Sequence, residues 1–310
     1  MRVAYQFPGQ GSQYPGMLRH LPDHPAVART LVEAGEVLEE NVRELDRAER
    51  LSSTTVTQVC LLIAGVATAR VLMEEGAIPD AVAGHSVGAF GAAVTAGVLD
   101  FRDALQMVRL RGCLMEEAYP RGYGMGVVTG MGEQRLLSLV ESVQSPDDPV
   151  YPANFNACDQ IVIAGSITGL EQVFAAAFRE GARQAHLLDV SVPSHCPLLK
   201  GVSKRLAAAL DDITVREPRM PFAGNRRGRL LRRAEVVKED LALGVSHPVR
   251  WFDATSLLVE VGVRLYVEMP PGSVLTRLAT NAFPEVRSLA VDDSGVRSAA
   301  ILTKRIQKEA

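Results

Sequence analysis

Cysteine is scarce in this chain: four in 310 residues, Cys60, Cys113, Cys158 and Cys196, far apart and never in a C-x-x-C pair. That spacing excludes a disulfide framework or a cysteine zinc site and predicts buried free thiols. Net charge is small, −3 at neutral pH, so the bulk balance gives no reason to expect nucleic acid as a partner. The opening Met1-Arg2-Val3-Ala4-Tyr5-Gln6-Phe7 runs straight into a strand pattern with no apolar signal region, and no later stretch reads as a membrane span. The expectation is a cytoplasmic protein with no membrane partner. With 47% hydrophobic and 22% charged residues the chain is not disordered, and its length allows one large domain with an elaboration, or two.

What is present centres on Ala81-Val82-Ala83-Gly84-His85-Ser86-Val87-Gly88-Ala89-Phe90: a short apolar run that breaks at glycine, presents a serine and continues into small helix formers. Such a G-x-S-x-G strand-turn-helix forces the serine onto a strained elbow, with glycines keeping Cβ atoms away. Ser86 is the candidate nucleophile. Unpaired N–H groups of the following helix, notably that of Val87, would point toward an oxyanion on an attached acyl group.

The rest alternates. A strand over 3–7 leads into the glycine-rich Phe7-Pro8-Gly9-Gln10-Gly11-Ser12-Gln13 and a short helix toward His20. A helix follows from Asp23 and Pro25, with Val27, Leu31, Leu38, Val42 and Leu45 at helical spacing; another, capped near 52–55, runs to Gly76 and is apolar nearly all round, hence central. After the elbow come helices to Gly97 and over 100–118. Residues 122–190 read β-α-β-β-α-β, the ferredoxin-like order, with Asn154, Asn156 and Gln160 at strand ends as candidate amide contacts. The remainder resumes the α/β alternation, and Pro270-Pro271-Gly272 precedes its last helix-strand-helix run. The predicted fold is α/β: a large α/β-hydrolase-like domain, 1–121 and 191–310, with a mostly parallel sheet, interrupted by a ferredoxin-like small domain, 122–190.

Two further residues stand out. On the 100–118 helix, Ala104, Val108, Arg111 and Met115 share the middle of the apolar face, so Arg111 points inward while Arg109 falls on the polar side with Glu116. A buried guanidinium needs an anion, either a structural carboxylate or a substrate one. His195, in Ser191-Val192-Pro193-Ser194-His195-Cys196-Pro197, is held between two prolines and is the best general-base candidate of the six histidines. Arg226, Arg227, Arg229, Arg232 and Arg233 follow Asn225; they are either a solvated hairpin and helix start or a dock for an acidic carrier.

Three separated segments, Phe7–Gln13, Gly84–Gly88 and Val192–Cys196, together resemble the malonyl-CoA:acyl carrier protein transacylases over essentially the whole chain; Arg111-Gly112 with Met115, and Asn154-Phe155-Asn156 with Gln160, fall where that family has them. Finer features, Leu21–Pro25, Tyr119–Met125 and Val267–Gly272, resemble the malonate decarboxylase epsilon branch, with Pro270 and Ser273 departing from the Glu-Val-Gly-Pro-Gly-Lys pattern of fatty-acid enzymes. The resemblance implies that Ser86 takes malonyl from malonyl-CoA as an ester. His195, oriented by a backbone carbonyl near Gly244, then activates the phosphopantetheine-type thiol of an acyl carrier protein, with the malonate decarboxylase carrier expected as acceptor. It also implies an oxyanion hole from the Val87 and Gln10 N–H groups and a malonyl carboxylate on Arg111, with Gln58, Met115, Ser194 and the amides Asn154, Asn156 and Gln160 lining the site. No bound cofactor is expected. No acid of a Ser-His-Asp triad is evident. The competing expectations are a transacylase of fatty acid synthesis, a serine hydrolase of the esterase type, and a non-catalytic carrier-binding module.

Overall fold

The computed structural model describes residues 2–119, 121–190 and 192–309. In chain order the elements are β1 (Val3–Phe7), α1 (Pro25–Leu38), α2 (Thr54–Glu74), β2 (Ala81–Gly84), α3 (Gly88–Thr95), α4 (Phe101–Ala118), β3 (Tyr123–Thr129), α5 (Glu133–Val143), β4 (Val150–Ala157), β5 (Gln160–Ser166), α6 (Ile167–Arg179) and β6 (Gln184–Leu187). They continue with α7 (Lys200–Asp211), β7 (Phe222–Ala223), β8 (Leu230–Leu231), α8 (Ala234–Leu243), α9 (Trp251–Glu260), β9 (Leu265–Glu268), α10 (Val274–Ala282), β10 (Arg287–Ala290) and α11 (Val291–Lys308).

The larger sheet has the order β10-β9-β1-β2-β7-β8 and is parallel except for the β7–β8 hairpin at one edge. Its central strand β1 is buried throughout because helices cover both faces. Alternate residues divide between them: Val3, Tyr5 and Phe7 pack with Leu62 of α2 and Leu105 of α4, whereas Ala4 packs with Trp251 of α9 and Leu275 of α10. The mixed α/β fold is thus the expected one.

The smaller sheet, β4-β5-β3-β6, is antiparallel throughout and covered on one face by α5 and α6. Met125, Ala153 and Val162 on its other face pack against Cys196, next to His195. Its edge strand β4 is further tied to the chain before α9: Phe155 N donates to Val249 O at 2.9 Å, and Val249 N to Ala153 O at 2.8 Å. Beside them the Arg250 guanidinium grips Glu133 through two hydrogen bonds and lies 4.1 Å from the Phe155 ring centre. The expected domain boundaries abut Pro120 and Ser191, which lie outside the described residues.

Several sequence expectations need correction. The glycine-rich stretch over 7–13 ends in turns as expected, but the chain from there to His20 continues in turns rather than a short helix, with Gly16 at positive φ. Helix α1 ends at Leu38, with Glu39 left-handed, and Val42 and Leu45 reach the core from a 3-10 turn and the residue after it. Helix α2 has the length and mean hydropathy, 1.8, of a membrane-crossing helix, which the sequence reading had not credited; most of it is buried in the core. Of the four free cysteines only Cys60 and Cys196 are buried; Cys113 is half-buried and Cys158, at the β4–β5 turn, is exposed.

The elbow depends on two close approaches. A Cβ on Gly84 would lie 2.2 Å from the Gly88 carbonyl carbon, and one on Gly88 would lie 2.1 Å from Phe7 O. Both obstacles are backbone, so neither can turn aside. Gly88→Ala is therefore expected to lower stability by at least ~1–3 kcal/mol. Gly132→Ala, where a Cβ meets nothing within 4 Å and φ is −73°, should be nearly silent. Urea unfolding midpoints of the two variants check this.

Candidate active site

Strand β2 delivers Ser86 at its carboxyl end, where the backbone turns left-handed with φ +55° before α3 begins. His195 also has positive φ, +63°, and its N–H donates to Val245 O at 2.8 Å. Each side chain is thus set by a backbone conformation that costs energy for a non-glycine residue. Across 109 positions of sequence they meet: Ser86 Oγ lies 2.7 Å from His195 Nε2, and His195 Nδ1 lies 2.7 Å from Gly244 O. A carbonyl can only accept, so Nδ1 carries the proton and Nε2 is the free base. Burial, and secondarily the charge of Arg111, push the His195 pKa down to about 3.

Arg111, on the inner face of α4, is 2% exposed. Its Nη1 donates to Gln58 Oε1 at 2.6 Å and its Nη2 to Ser86 Oγ at 3.1 Å. No carboxylate pairs with it among the described residues. Gln58 Nε2 passes the chain on to Gln10 Oε1 at 3.0 Å and contacts Met115 Sδ at 3.5 Å. Gly112 permits the arrangement: a Cβ there would lie 2.4 Å from Thr55 Cα, so α4 can press against the start of α2. Burial lowers the Arg111 pKa to about 10, which still leaves it a cation at neutral pH. Arg109 is exposed, as its place on the helix predicts.

Beside this centre a cleft of about 470 Å³ opens between the Gly9–Gln13 turn, the small sheet and α10. Asn154, Asn156 and Gln160 line it. Asn156 Oδ1 lies 3.0 Å from His85 Nε2, whereas the buried Asn154 Oδ1 has no hydrogen-bond partner among the described residues. Ser194 is buried and turns its hydroxyl to Val192 O, 3.4 Å away, within its own loop.

Residues 4–309 match the acyl transferase domain family. The chain belongs to that family. It is 36% identical over 306 residues to the malonyl CoA-acyl carrier protein transacylase of Escherichia coli K12, covering 97% of this chain and 99% of the relative. It is 34% identical to the Bacillus subtilis enzyme of the same name, covering 99% of each. A malonyl-transacylase solved in complex with a type II PKS acyl-carrier protein superposes with a TM-score of 0.93 at 37% identity, over 97% of this chain and 100% of that one. The Coxiella burnetii transacylase gives 0.93 at 33%, over 99% and 98%.

In this member of the transacylase family, Ser86, His195, Arg111, Gln58, Met115 and Gln10 form one contiguous cluster, with Val87 following the serine at the start of α3. Asn154, Asn156 and Gln160 stand apart in the cleft. Two polar residues at the elbow escaped the sequence reading. Asn225 Oδ1 accepts from Ser86 N at 2.9 Å and its Nδ2 donates to Gly84 O at 2.8 Å, while Asp240 accepts from the Asn225 and Arg226 N–H groups at 2.8 and 3.1 Å. Asp240 was within reach, since it shares the buried face of α8 with Val237 and Leu241.

Because the folded pKa of His195 is depressed, the imidazole stays neutral well below the usual value near 6.5. Serine acylation should therefore run at constant rate from about pH 8 down to about pH 5 and fall only below that, where an unshifted histidine would already have lost most of its base form. Stopped-flow acylation rates across that range check the expectation; a midpoint near 6.5 would contradict it.

Proposed function

We propose that the chain is a malonyl-CoA:acyl carrier protein transacylase working through a malonyl ester on Ser86. The observation that carries this reading is Arg111: a buried cation held by neutral partners, one of them the hydroxyl that takes the acyl group. An esterase for neutral acyl groups has no use for it. A malonyl ester brings the missing carboxylate, and a guanidinium can hold it through two hydrogen bonds.

In the first half-reaction, His195 Nε2 takes the Ser86 proton as Oγ attacks the thioester carbonyl. The Val87 and Gln10 N–H groups stabilise the oxyanion, which collapses to the ester as the coenzyme A thiolate leaves with that proton. In the second, His195 deprotonates the carrier thiol, the sulfur attacks the ester, and the proton returns to Ser86. The Gly244 carbonyl orients the imidazole without a negative charge, giving a weaker base than a triad acid would, which suffices for a reactive thioester and an acidic thiol. Pairing of Arg111 with malonyl also removes a charge that depresses His195.

We divide the labour between a large domain, 1–121 and 191–310, that carries the dyad and Arg111, and a small domain, 122–190, whose Asn154, Asn156 and Gln160 face the pantetheine amides. Arg227, Arg229, Arg232 and Arg233 are exposed and unpaired among the described residues, and we assign this face to the acidic carrier. Named relatives favour the ordinary acyl carrier protein as acceptor over a malonate decarboxylase carrier.

Intact-protein mass after mixing with malonyl-CoA should show one malonyl adduct on the wild type and none on Ser86→Ala, with His195→Ala acylating very slowly. An adduct on Ser86→Ala removes the assignment of the nucleophile, and free malonate released without acceptor favours the hydrolase. Offering the labelled enzyme both carriers in thiol form should discharge it faster onto the fatty-acid carrier; faster discharge onto the decarboxylase carrier reverses that choice.

A further inference from the structure

The serine elbow is held from a third element that neither the nucleophile nor the base belongs to. Strand β7 contributes only two residues to the sheet, Phe222 and Ala223, and ends beside β2, so that Asn225 reaches the elbow from the side. Its side-chain amide spans the turn: the oxygen takes the Ser86 N–H and the NH₂ gives to the Gly84 carbonyl. An amide is the group suited to this, since it presents an acceptor and a donor side by side.

Asn225 is 5% exposed and Asp240 7%, so both contacts are shielded from bulk water. The Asp240 carboxylate receives two successive N–H groups, of Asn225 and Arg226, and thereby fixes the direction in which the Asn225 side chain leaves the backbone. Arg250 N donates to Asn225 O at 2.7 Å and completes the seating. Asn225 and Asp240 line one small pocket together with Ser86, Arg111 and His195.

We propose that Asn225 is a positioning residue for the transacylation, bridging Gly84 and Ser86 so that the left-handed serine keeps Oγ on His195, and that Asp240 holds Asn225 in place. The proposal rests on Ser86 being the nucleophile. Ser86 at φ +55° is strained, and the bridge ties both flanks of the strained peptide to a buried, anchored amide. With the Ser86 N–H taken by Asn225, the next N–H, that of Val87, is the one left to face the oxyanion. Neither residue touches the acyl group, so the bridge should act on the rate of both half-reactions and not on substrate affinity.

The test uses the full-length enzyme and Asn225→Leu, which keeps the volume and removes both hydrogen bonds, with Asp240→Asn as the second variant should Asn225→Leu fail to fold. Circular dichroism establishes folding; the malonylation rate is read at saturating malonyl-CoA, and discharge onto carrier thiol separately. Asn225→Leu should lose about a hundredfold in both rates, as for a reacting group misplaced by about 1 Å, with the half-saturating malonyl-CoA concentration within about threefold of wild type. Asp240→Asn, which replaces one acceptor oxygen by an NH₂ facing a backbone N–H, should lose about tenfold in the same pattern. Wild-type rates in folded Asn225→Leu, or a loss confined to half-saturation in either variant, overturn the proposal. If the wild type carries no malonyl on Ser86, the functional reading itself fails, which is a separate result.

Discussion

A buried guanidinium with no counter-charge among the described residues sits beside the serine, and much of the architecture there accommodates it. Removing a cation from water is costly, and removing the partner of a buried ion pair typically destabilises by about 3–5 kcal/mol. Here the compensation comes from neutral groups, the Gln58 carbonyl and the Ser86 hydroxyl, which solvate Arg111 without quenching its charge. Gln58 is held in turn by Gln10 and Met115, and the contact of α4 with α2 at Gly112 brings these groups within reach. The result is a buried cation with no carboxylate partner among the described residues. Its charge has a second effect, since it helps keep His195 neutral and available as a base.

The serine–histidine pair is assembled by strain on both sides. Ser86 and His195 are both left-handed, non-glycine residues, and each is held by the structure around it: Ser86 by two glycines and Asn225, His195 by its bond to Val245 and by the face of the small sheet that packs on Cys196. The small sheet therefore does two jobs. It lines the cleft beside Ser86 and His195, and it backs the loop that carries His195.

Much of this was legible in the sequence because it rests on local signals. The G-x-S-x-G spacing announced the elbow, helical phase turned Arg111 inward, and the β-α-β-β-α-β rhythm gave the small sheet. What was not legible depends on contacts between distant residues. Asn225 lies 139 positions from Ser86, in the turn after β7, and no local pattern ties it to the elbow. That Arg111 has neutral partners could not be read from its helix either, since a structural carboxylate would have given the same apolar-face pattern. The short helix expected after the glycine-rich turn, toward His20, is a series of turns instead, with Gly16 at positive φ. The long apolar α2 shows the converse, a helix whose composition fits a membrane and whose neighbours place it in a protein core.

The central claim is that Arg111 recognises the free carboxylate of the acyl group. Its most direct test is the ratio of malonyl to acetyl transfer onto Ser86 in wild type and Arg111→Ala, with Arg109→Ala as the exposed control. A charge-assisted hydrogen bond contributes about 1.5–3 kcal/mol, so the ratio should fall by about ten- to a hundredfold in Arg111→Ala and stay unchanged in Arg109→Ala. Equal losses for malonyl and acetyl in Arg111→Ala would show that the guanidinium serves the fold alone and would contradict the account.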